Sequence, residues 1–333
     1  MVFCNVNQSS SDSDDHLVKI DPLLKSVART FYLSLTYLPE AIREPMSLAY
    51  LLARLSDTVV DEQFVPVSAR SDLLSSLKRC VQHPNNPEYL THLYQQISVC
   101  LPYFSNQDLS LLESCGFLLS RLQHQSVPIQ TLIQEVLVLI FEGQAIDLDY
   151  FDSSPEINYF TTEHELDRYL YLVAGSVGEF WTKLCCLCIP NFTRENVEQL
   201  LPKAVAFGKA LQLTNILLDV HHDLTQGRCY LPIQTDLFSG DCLTKESLGK
   251  LLGQHPSIIQ DWRAKALLYL EDAKAYTNAI THRRIRFSVM VPMHLARKTL
   301  FALPVKLSKT EVYLTLAQAW LQTYGFPLRT VTT

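Results

Sequence analysis

The sequence predicts an all-α protein. Apolar residues recur at three- and four-residue spacing from Pro22 onward, which is the pattern of helices that bury one face. Only 10 of the 333 residues are glycine, and this scarcity disfavours nucleotide-binding α/β folds and turn-rich β folds. Prolines separate the periodic segments, and no stretch alternates polar and apolar residues as a half-exposed strand would. A single helical domain is the simplest interpretation.

The periodic segments predict twelve helices in chain order. They lie at roughly residues 22–37, 41–61, 67–81, 87–101, 107–124, 128–149, 163–188, 193–223, 244–252, 256–281, 287–302 and 309–324. Prolines such as Pro39 and Pro66 mark the breaks, and Thr162 is placed to cap the helix that begins after it. The polar, Ser/Asp-rich residues 1–17 predict a flexible N-terminus. Residues 18–333 are expected to form one domain.

Charge and cysteine usage disfavour several classes of protein. The formal net charge is −6 and no basic face is evident, so we expect no nucleic-acid partner. The nine cysteines lack the paired spacing of a zinc site and no signal peptide is recognisable, which favours a reducing, cytoplasmic location. No uncharged apolar run reaches about 18 residues, so the sequence predicts no membrane-spanning helix.

Two acidic motifs lie on predicted helices. Asp57 and Asp61 are four residues apart and therefore share one helix face. Asn215, Asp219 and Asp223 form a second line of oxygen ligands at the same spacing. Like charges at this spacing repel by roughly 0.2–0.5 kcal/mol, so a bound cation is a physical reason for placing them there. Hard oxygen ligands suit Mg²⁺, which uses few carboxylates and completes its shell with phosphate oxygens and water.

Other interpretations of these motifs remain open. A single pair of aspartates at four-residue spacing is usually a solvated helix face. His221 and His222 suggest zinc, but adjacent residues point about 100° apart on a helix, so both cannot join the aspartate line. Two copies, each beside apolar helix positions, favour a cavity in which Mg²⁺ receives a diphosphate and stabilises it as a leaving group.

Loss of diphosphate from an allylic carbon leaves a carbocation, which needs an apolar, aromatic surround that excludes water. The candidate wall residues are aromatic side chains of the predicted helices: Phe31, Tyr32, Tyr50, Phe141, Tyr169, Tyr171, Phe180 and Phe287. Ordinary core packing is the alternative interpretation for each of them.

Four segments together resemble the squalene/phytoene synthase family, over roughly residues 20–325. They are Arg29-Thr30-Phe31-Tyr32, the run from Ala49 to Glu62, the run from Tyr169 to Gly178, and the run from Ala210 to Pro232. The resemblance implies an isoprenoid-synthase helical bundle with a central cavity and Mg²⁺-binding aspartate motifs on opposite walls. It also implies condensation of two prenyl diphosphates through a cyclopropylcarbinyl diphosphate, followed by NADPH reduction in squalene synthases only.

The resemblance further implies roles for single residues. The positions of the family's metal ligands hold Asp57, Asp61, Asn215, Asp219 and Asp223. The segment and positions that touch diphosphate or the first prenyl chain hold Arg29, Thr30, Phe31, Tyr50, Arg54, Gln212 and Arg228. We predict catalytic roles for Tyr50, Arg54, Tyr169 and Tyr171. Gly175 and Gly178 match small positions where a helix borders the cavity, with tight helix packing as the alternative.

Three residues depart from the family pattern. Leu218 stands where an arginine usually precedes the second motif's first aspartate, so one cationic contact to phosphate or to the nicotinamide cofactor is missing or replaced. Leu172 replaces the tyrosine often found before Val-Ala-Gly, and His222 replaces a common glutamate. None of these changes removes a predicted metal ligand.

The C-terminal part and the first motif favour a squalene synthase. Lys306 and Lys309 lie in a stretch similar to one near the NADPH phosphates of those enzymes, with a solvated basic loop as the alternative. We therefore expect two molecules of farnesyl diphosphate as substrate, Mg²⁺ and NADPH as cofactors, and peripheral membrane contact because the product is very apolar. A phytoene or dehydrosqualene synthase, which needs no NADPH, and a non-catalytic assembly factor of the same fold remain alternatives.

Overall fold

The computed structural model describes residues 20–28, 31–152, 158–233 and 244–325. Nearly all of these residues are helical, which confirms the predicted fold class. The flexible N-terminus predicted for residues 1–17 lies outside the described residues, so that division of the chain stays a prediction.

Fifteen helices are formed by the described residues. They are α1 (20–27), α2 (Phe31–Thr36), α3 (Glu40–Asp61), α4 (Val67–Gln82), α5 (Pro87–Cys100), α6 (Asn106–Glu113), α7 (Cys115–Gln123), α8 (Val127–Ile146), α9 (Glu163–Leu170), α10 (Ser176–Cys188), α11 (Val197–Thr225), α12 (Lys245–Gln254), α13 (Pro256–Ala279), α14 (Arg283–Ala302) and α15 (Lys309–Tyr324). A single 3₁₀ turn, Leu101–Tyr103, follows α5. Several helix boundaries agree with those predicted from the sequence because capping residues set them. The Thr162 and Ser308 side chains each accept a hydrogen bond from the backbone N–H of the third residue of the following helix.

Two stretches of wider, π-helical turn interrupt the regular helices. One, Asp147–Asp152, continues α8, and the other, Tyr171–Gly175, joins α9 to α10. The sequence analysis predicted continuous helices there, since apolar periodicity does not register one inserted residue. Such turns often occur at functional sites because they re-aim the side chains that follow them.

The long helix α11 forms the centre of the bundle and packs against α10, α13 and α14. Its contact with α10 is unusually close. A Cβ atom added at Gly178 would lie 2.1 Å from the Ala204 carbonyl oxygen, and one added at Gly208 would lie 2.1 Å from the Ala174 carbonyl oxygen. The α11 backbone therefore touches α10 at Gly178 and the π-helical turn before α10 at Gly208, and only glycine fits at these two places.

One helical run differs from the expectation that no segment could span a membrane. Residues Val127–Asp152 are long and apolar enough to do so, by length and composition alone. A search for an uncharged run misses them because Glu135 and Glu142 interrupt the segment. Ile133 and Leu137 are buried against the rest of the bundle, so this helix contributes to the core.

A short parallel pair of strands closes one end of the bundle. Strand β1 (Asn158–Tyr159) pairs with β2 (Arg228–Cys229), with Asn158 opposite Arg228. Because β2 follows α11 directly, this pairing ties the end of α11 to the segment after α8. It places Arg228 beside the end of α3.

Candidate active site

The two acidic motifs end at one cleft. Asp61 is the last residue of α3 and Asp223 lies in the last turn of α11, and both line this cleft together with Arg228. The ends of the helices are joined by a hydrogen bond of 2.6 Å from Gln63 Nε2 to Gln226 Oε1. The structure thus brings together two motifs that are about 160 residues apart in the sequence.

Cations of the chain already lie against the acidic side chains. Arg54 forms an ion pair with Asp57. Lys306 Nζ lies 2.8 Å from Asp219 Oδ1, and Arg228 Nη1 lies 3.9 Å from Asp61 Oδ1. Carboxylate oxygens of both motifs are therefore paired with positive charge.

The pKa values of the carboxyl groups indicate how unfavourable their shared negative charge is. Burial and then the charge of Asp57 raise the pKa of Asp61 to about 6. Burial and then the charge of Asp219 raise the pKa of Asp223 to about 6. Burial also raises the pKa of Asp57, despite the nearby Arg54. The Asp61 side chain keeps 58% of its surface exposed, so water screens part of this cost in the open cleft.

These residues fit Mg²⁺ in chemistry without forming a closed cage. Within the part of the chain that the structure describes, no three acidic, histidine or cysteine side chains converge on one point. The zinc interpretation of the adjacent histidines gains no support from this arrangement. Carboxylates that approach one cleft from two helices suit an ion that completes its shell with phosphate oxygens and water. The candidate ligands are Asp57, Asp61, Asp219 and Asp223, with the exposed Asn215 one turn before Asp219 on α11.

Arg228 is held rigidly at the edge of the cleft. Its Nε and Nη2 donate hydrogen bonds of 2.8 and 2.7 Å to the two carboxylate oxygens of Asp152. Arg70 donates a further bond of 2.8 Å to Asp152 and one of 2.5 Å to the Val60 carbonyl oxygen. Burial disfavours the Arg228 charge, but the hydrogen bonds that it donates to Asp152 raise its pKa above the usual value. A fixed, fully charged guanidinium at this place suits an anionic ligand.

A buried carboxyl group anchors the strand that carries Arg228. The side chain of Asp147 accepts hydrogen bonds from Tyr230 Oη at 2.7 Å and from Tyr169 Oη at 3.1 Å. The two tyrosine rings stack with centroids 5.0 Å apart. Burial raises the pKa of Asp147 to about 7, although the Tyr230 hydrogen bond lowers it. Asp147 and Asp152 were missed in the sequence, where the only signal was an acidic run that ends an apolar helix.

An apolar cavity of about 200 Å³ lies between α10, α11 and α14. Predicted residues Gly178 and Gln212 line it. Its aromatic walls are Trp181, Phe207 and Tyr276, none of which was predicted. The sequence signal that could have indicated two of them is their distance from a glycine. Trp181 follows Gly178 by one helical turn, and Phe207 is next to a glycine. None of the predicted wall aromatics with described side chains lines this cavity.

The other predicted residues lie as follows. Tyr50 Oη is 3.4 Å from the Val27 carbonyl oxygen, and Tyr171 Oη donates to Glu179 at 3.1 Å. Tyr169, predicted to be catalytic, is buried on Asp147 instead of lining the 200 Å³ cavity. Arg54 Nε is buried and has no hydrogen-bond partner among the described residues. Arg29, Thr30 and the side chain of Phe31 are outside the described part of the chain.

The two predicted glycines, Gly175 and Gly178, lie where helices pack closely. A Cβ atom at Gly175 would lie 3.1 Å from Val205 Cγ1 on α11. Both Gly175 and Gly178 therefore face α11, which supports the alternative of tight helix packing, and Gly178 also borders the cavity. Lys306 lies at the cleft through Asp219, whereas Lys309 is exposed as the first residue of α15.

A sequence profile of the squalene/phytoene synthase family matches residues 24–307. The squalene synthase of Saccharomyces cerevisiae is 26% identical over 237 residues, which cover 69% of this chain and 48% of the yeast protein. The phytoene synthase of Arthrospira platensis is 27% identical over 286 residues, which cover 82% of this chain and 79% of that protein. The chain thus spans about half the length of the fungal squalene synthases that it matches.

Solved structures share the fold over nearly the whole chain. The complex of TcSQS with the ligand BPH1237 superposes with a TM-score of 0.71 at 20% identity, covering 93% of this chain and 89% of that one. A dehydrosqualene synthase in complex with a ligand gives a TM-score of 0.61 at 19% identity, covering 94% and 97%. Together with the profile match, these similarities show that the chain belongs to the squalene/phytoene synthase family and has the helical fold of isoprenoid synthases.

Proposed function

We propose that this protein is a squalene synthase, which joins two farnesyl diphosphates head to head through presqualene diphosphate and reduces the product to squalene with NADPH. The observation that carries the proposal is the cleft into which α3 and α11 direct Asp61 and Asp223. The apolar cavity also lies along α11. Gln212 in its wall precedes Asp219 by seven residues, or about 10 Å along the axis. A diphosphate in the cleft and a prenyl chain in the cavity fit this spacing.

Residues of the polar cleft would bind the diphosphate, and residues of the apolar cavity would surround the prenyl chain. Mg²⁺ held by the aspartates would neutralise the leaving diphosphate. Arg228, fixed by Asp152, would orient the diphosphate oxygens, and Arg54 brings a buried Nε–H donor that no described residue accepts. Trp181 and Phe207 would exclude water and present ring faces to a developing carbocation.

The reductive step needs a site for the phosphates of the cofactor. NADPH would supply the hydride that ends the reaction. Lys306 suits the phosphates because its side chain is 72% exposed while its amine lies at the Asp219 carboxylate, at the rim of the cleft. Lys309 is exposed close by in sequence, at the start of α15. Leu218, on the turn of α11 that carries Asp219, offers no positive charge there.

The second candidate function is a phytoene or dehydrosqualene synthase. Leu218 favours it, because a cationic contact of the reductive enzymes is absent. The longer alignment with the phytoene synthase relative also favours it. The two reactions share the first condensation and differ in whether a hydride is delivered.

The test is product identification by mass spectrometry after incubation with farnesyl diphosphate and Mg²⁺, with and without NADPH. We expect squalene with NADPH, and presqualene diphosphate or dehydrosqualene without it. The same product in both reactions would exclude the squalene synthase and favour the second candidate. Parallel reactions with geranylgeranyl diphosphate identify the preferred chain length. Absence of pyrophosphate release from either substrate would favour a non-catalytic assembly factor.

A further inference from the structure

Two groups of opposite charge lie side by side in the cleft without touching. Arg228 Nη1 is 3.9 Å from Asp61 Oδ1. A guanidinium and a carboxylate in direct contact form strong hydrogen bonds of about 2.7–2.9 Å. A movement of roughly 1 Å would therefore close this gap. Because the two charges attract each other, something else in the structure must hold them apart.

The competing group is the carboxylate of Asp152. It accepts hydrogen bonds from Arg228 Nε at 2.8 Å and from Arg228 Nη2 at 2.7 Å. These two bonds occupy one edge of the planar guanidinium, and such a pair fixes both its position and its orientation. The remaining nitrogen, Nη1, is the one that lies nearest to Asp61. Asp152 and Asp61 thus compete for one cation, and Asp152 binds it.

Arg70 fixes Asp152 relative to the first acidic motif. Its Nη1 donates a hydrogen bond of 2.8 Å to Asp152 Oδ2, and the two side chains are only 5% and 11% exposed. The same guanidinium donates bonds of 2.5 and 3.0 Å to the carbonyl oxygens of Val60 and Val65. Val60 directly precedes Asp61, and Val65 ends the turn that follows α3. Arg70 therefore ties Asp152 to the segment of chain that carries Asp61.

Loss of the Asp152 carboxylate would change what Arg228 binds. Among the described residues, Asp61 is the other carboxylate within 4 Å of the Arg228 guanidinium. A guanidinium bonded to Asp61 would occupy the oxygens that a hard cation such as Mg²⁺ needs. The same bond would also use the donors that Arg228 offers to an anion. One closed ion pair would therefore block both kinds of ligand.

We propose that Asp152, fixed by Arg70, keeps Arg228 away from Asp61, so that the cleft can bind a cation and an anion at the same time. Neither Asp152 nor Arg70 lines the cleft, so both are positioning residues that act through Arg228 and Asp61. This inference rests on the proposed function, in which Asp61 binds Mg²⁺ and Arg228 orients a diphosphate.

The test is Mn²⁺ binding to the full chain without substrate, measured by electron paramagnetic resonance of the free ion. Mn²⁺ takes the same octahedral oxygen ligands as Mg²⁺. We expect Asp152→Asn to weaken Mn²⁺ binding about fivefold, which is the size of one partly exposed ion pair. The double variant Asp152→Asn with Arg228→Gln should bind Mn²⁺ as Arg228→Gln alone does, because no guanidinium remains to close on Asp61. A purely structural role of Asp152 would not be rescued by the second substitution.

Two further variants control for charge and for folding. Asp149→Asn removes an exposed carboxylate from the same π-helical segment and should bind Mn²⁺ like the wild type. Asp152→Asn leaves Arg70 without its carboxylate, so its circular dichroism and melting temperature are compared with those of the wild type. Arg228→Lys keeps the pair of Arg70 and Asp152 intact. It should also weaken Mn²⁺ binding, because an ammonium lacks the planar pair of donors that holds Arg228 on Asp152.

The outcomes separate this inference from the proposed function. Equal Mn²⁺ affinity of the wild type, Asp152→Asn and Arg228→Lys would overturn the inference, as would a loss in Asp152→Asn that Arg228→Gln does not restore. If Asp61→Asn weakens Mn²⁺ binding in that case, the proposed metal site still stands. Unchanged Mn²⁺ binding by Asp61→Asn would instead overturn the metal role of Asp61, and the inference with it.

Discussion

Replacing Asp147 with Asn should change how the stability of this protein depends on pH. Asp147 is 6% exposed, and burial raises its pKa from 3.8 to about 7. The folded state therefore binds this proton more tightly than the unfolded state. Its stabilising contribution is complete below the ordinary pKa and is lost as the pH rises through about 7.

The size of the effect follows from the two pKa values. From pH 5 to a folded-state pKa of about 7 is two units, and each unit corresponds to about 1.36 kcal/mol, so the wild type should lose about 3 kcal/mol of unfolding free energy through this group. Asn cannot ionise, so the Asp147→Asn variant should not lose this unfolding free energy. The Asn carbonyl oxygen can still accept the hydrogen bond from Tyr230, so the variant should lie within about 1 kcal/mol of the wild type at pH 5.

The assay is urea unfolding of the wild type and of Asp147→Asn at pH 5 and pH 8, with metal chelated. The difference in unfolding free energy should move by about 3 kcal/mol in favour of the variant between the two pH values. Titrating groups that do not interact with Asp147, such as Asp223, are present in both proteins and cancel in the difference. Asp61 does interact with Asp147, and its effect is the smallest of those that shift the pKa of Asp147. Asp149→Asn is the matched control, because Asp149 is two residues away and exposed, and it should follow the wild type. An identical pH dependence of wild type and Asp147→Asn would refute the reasoning.

Three further sets of substitutions test the site and the packing. Asp57→Asn should lower turnover by orders of magnitude without changing the melting temperature, because an amide is a poor ligand for Mg²⁺, and unchanged turnover would exclude the metal role. Lys306→Ala with Lys309→Ala should raise the KM for NADPH and cause presqualene diphosphate to accumulate, relieved at high NADPH, while the first condensation is spared; slowing of both steps would argue against a cofactor role. Gly178→Ala should destabilise the fold by about 2 kcal/mol, because its Cβ would meet a carbonyl oxygen of α11, whereas Gly249→Ala, with nothing within 4 Å, should stabilise by about 0.5–1 kcal/mol. Equal melting temperatures for the two glycine variants would contradict the close packing.

The helices were predictable from sequence because their signals are local. The predicted helix 309–324 matches α15 residue for residue, since Ser308 caps its start and Gly325 ends it in a left-handed conformation. The predicted helix 107–124 is instead two helices that meet at Ser114, whose backbone N–H bonds to the Leu111 carbonyl oxygen. No proline marks that break, and Gly116 two residues later is a weak signal, so apolar periodicity predicted one continuous helix.

The candidate site was predictable only where spacing along one helix defines it. Asp57 and Asp61 need no tertiary information to share a face. The cavity walls do need it, because the rotation of each helix in the bundle decides which aromatic residue points inward. Tyr169 and Trp181 are both aromatic residues on predicted helices, so the sequence does not distinguish them. In the structure Tyr169 donates a hydrogen bond to a buried carboxyl group, while Trp181 lines the cavity. Asp147 was overlooked because its two hydroxyl partners come from distant segments.

The close contact of α11 with α10 and with the π-helical turn before it limits how the apolar cavity could be enlarged. Gly178 of α10 lies against the Ala204 carbonyl oxygen of α11, and Gly208 of α11 lies against the Ala174 carbonyl oxygen of the π-helical turn, so this part of the wall has no side chain to shorten. If a prenyl chain binds in the cavity as proposed, room for a longer chain has to come from the aromatic wall residues Trp181, Phe207 and Tyr276. Under the proposed function, substitutions of these aromatic residues, and not of the two glycines, would change the preferred chain length.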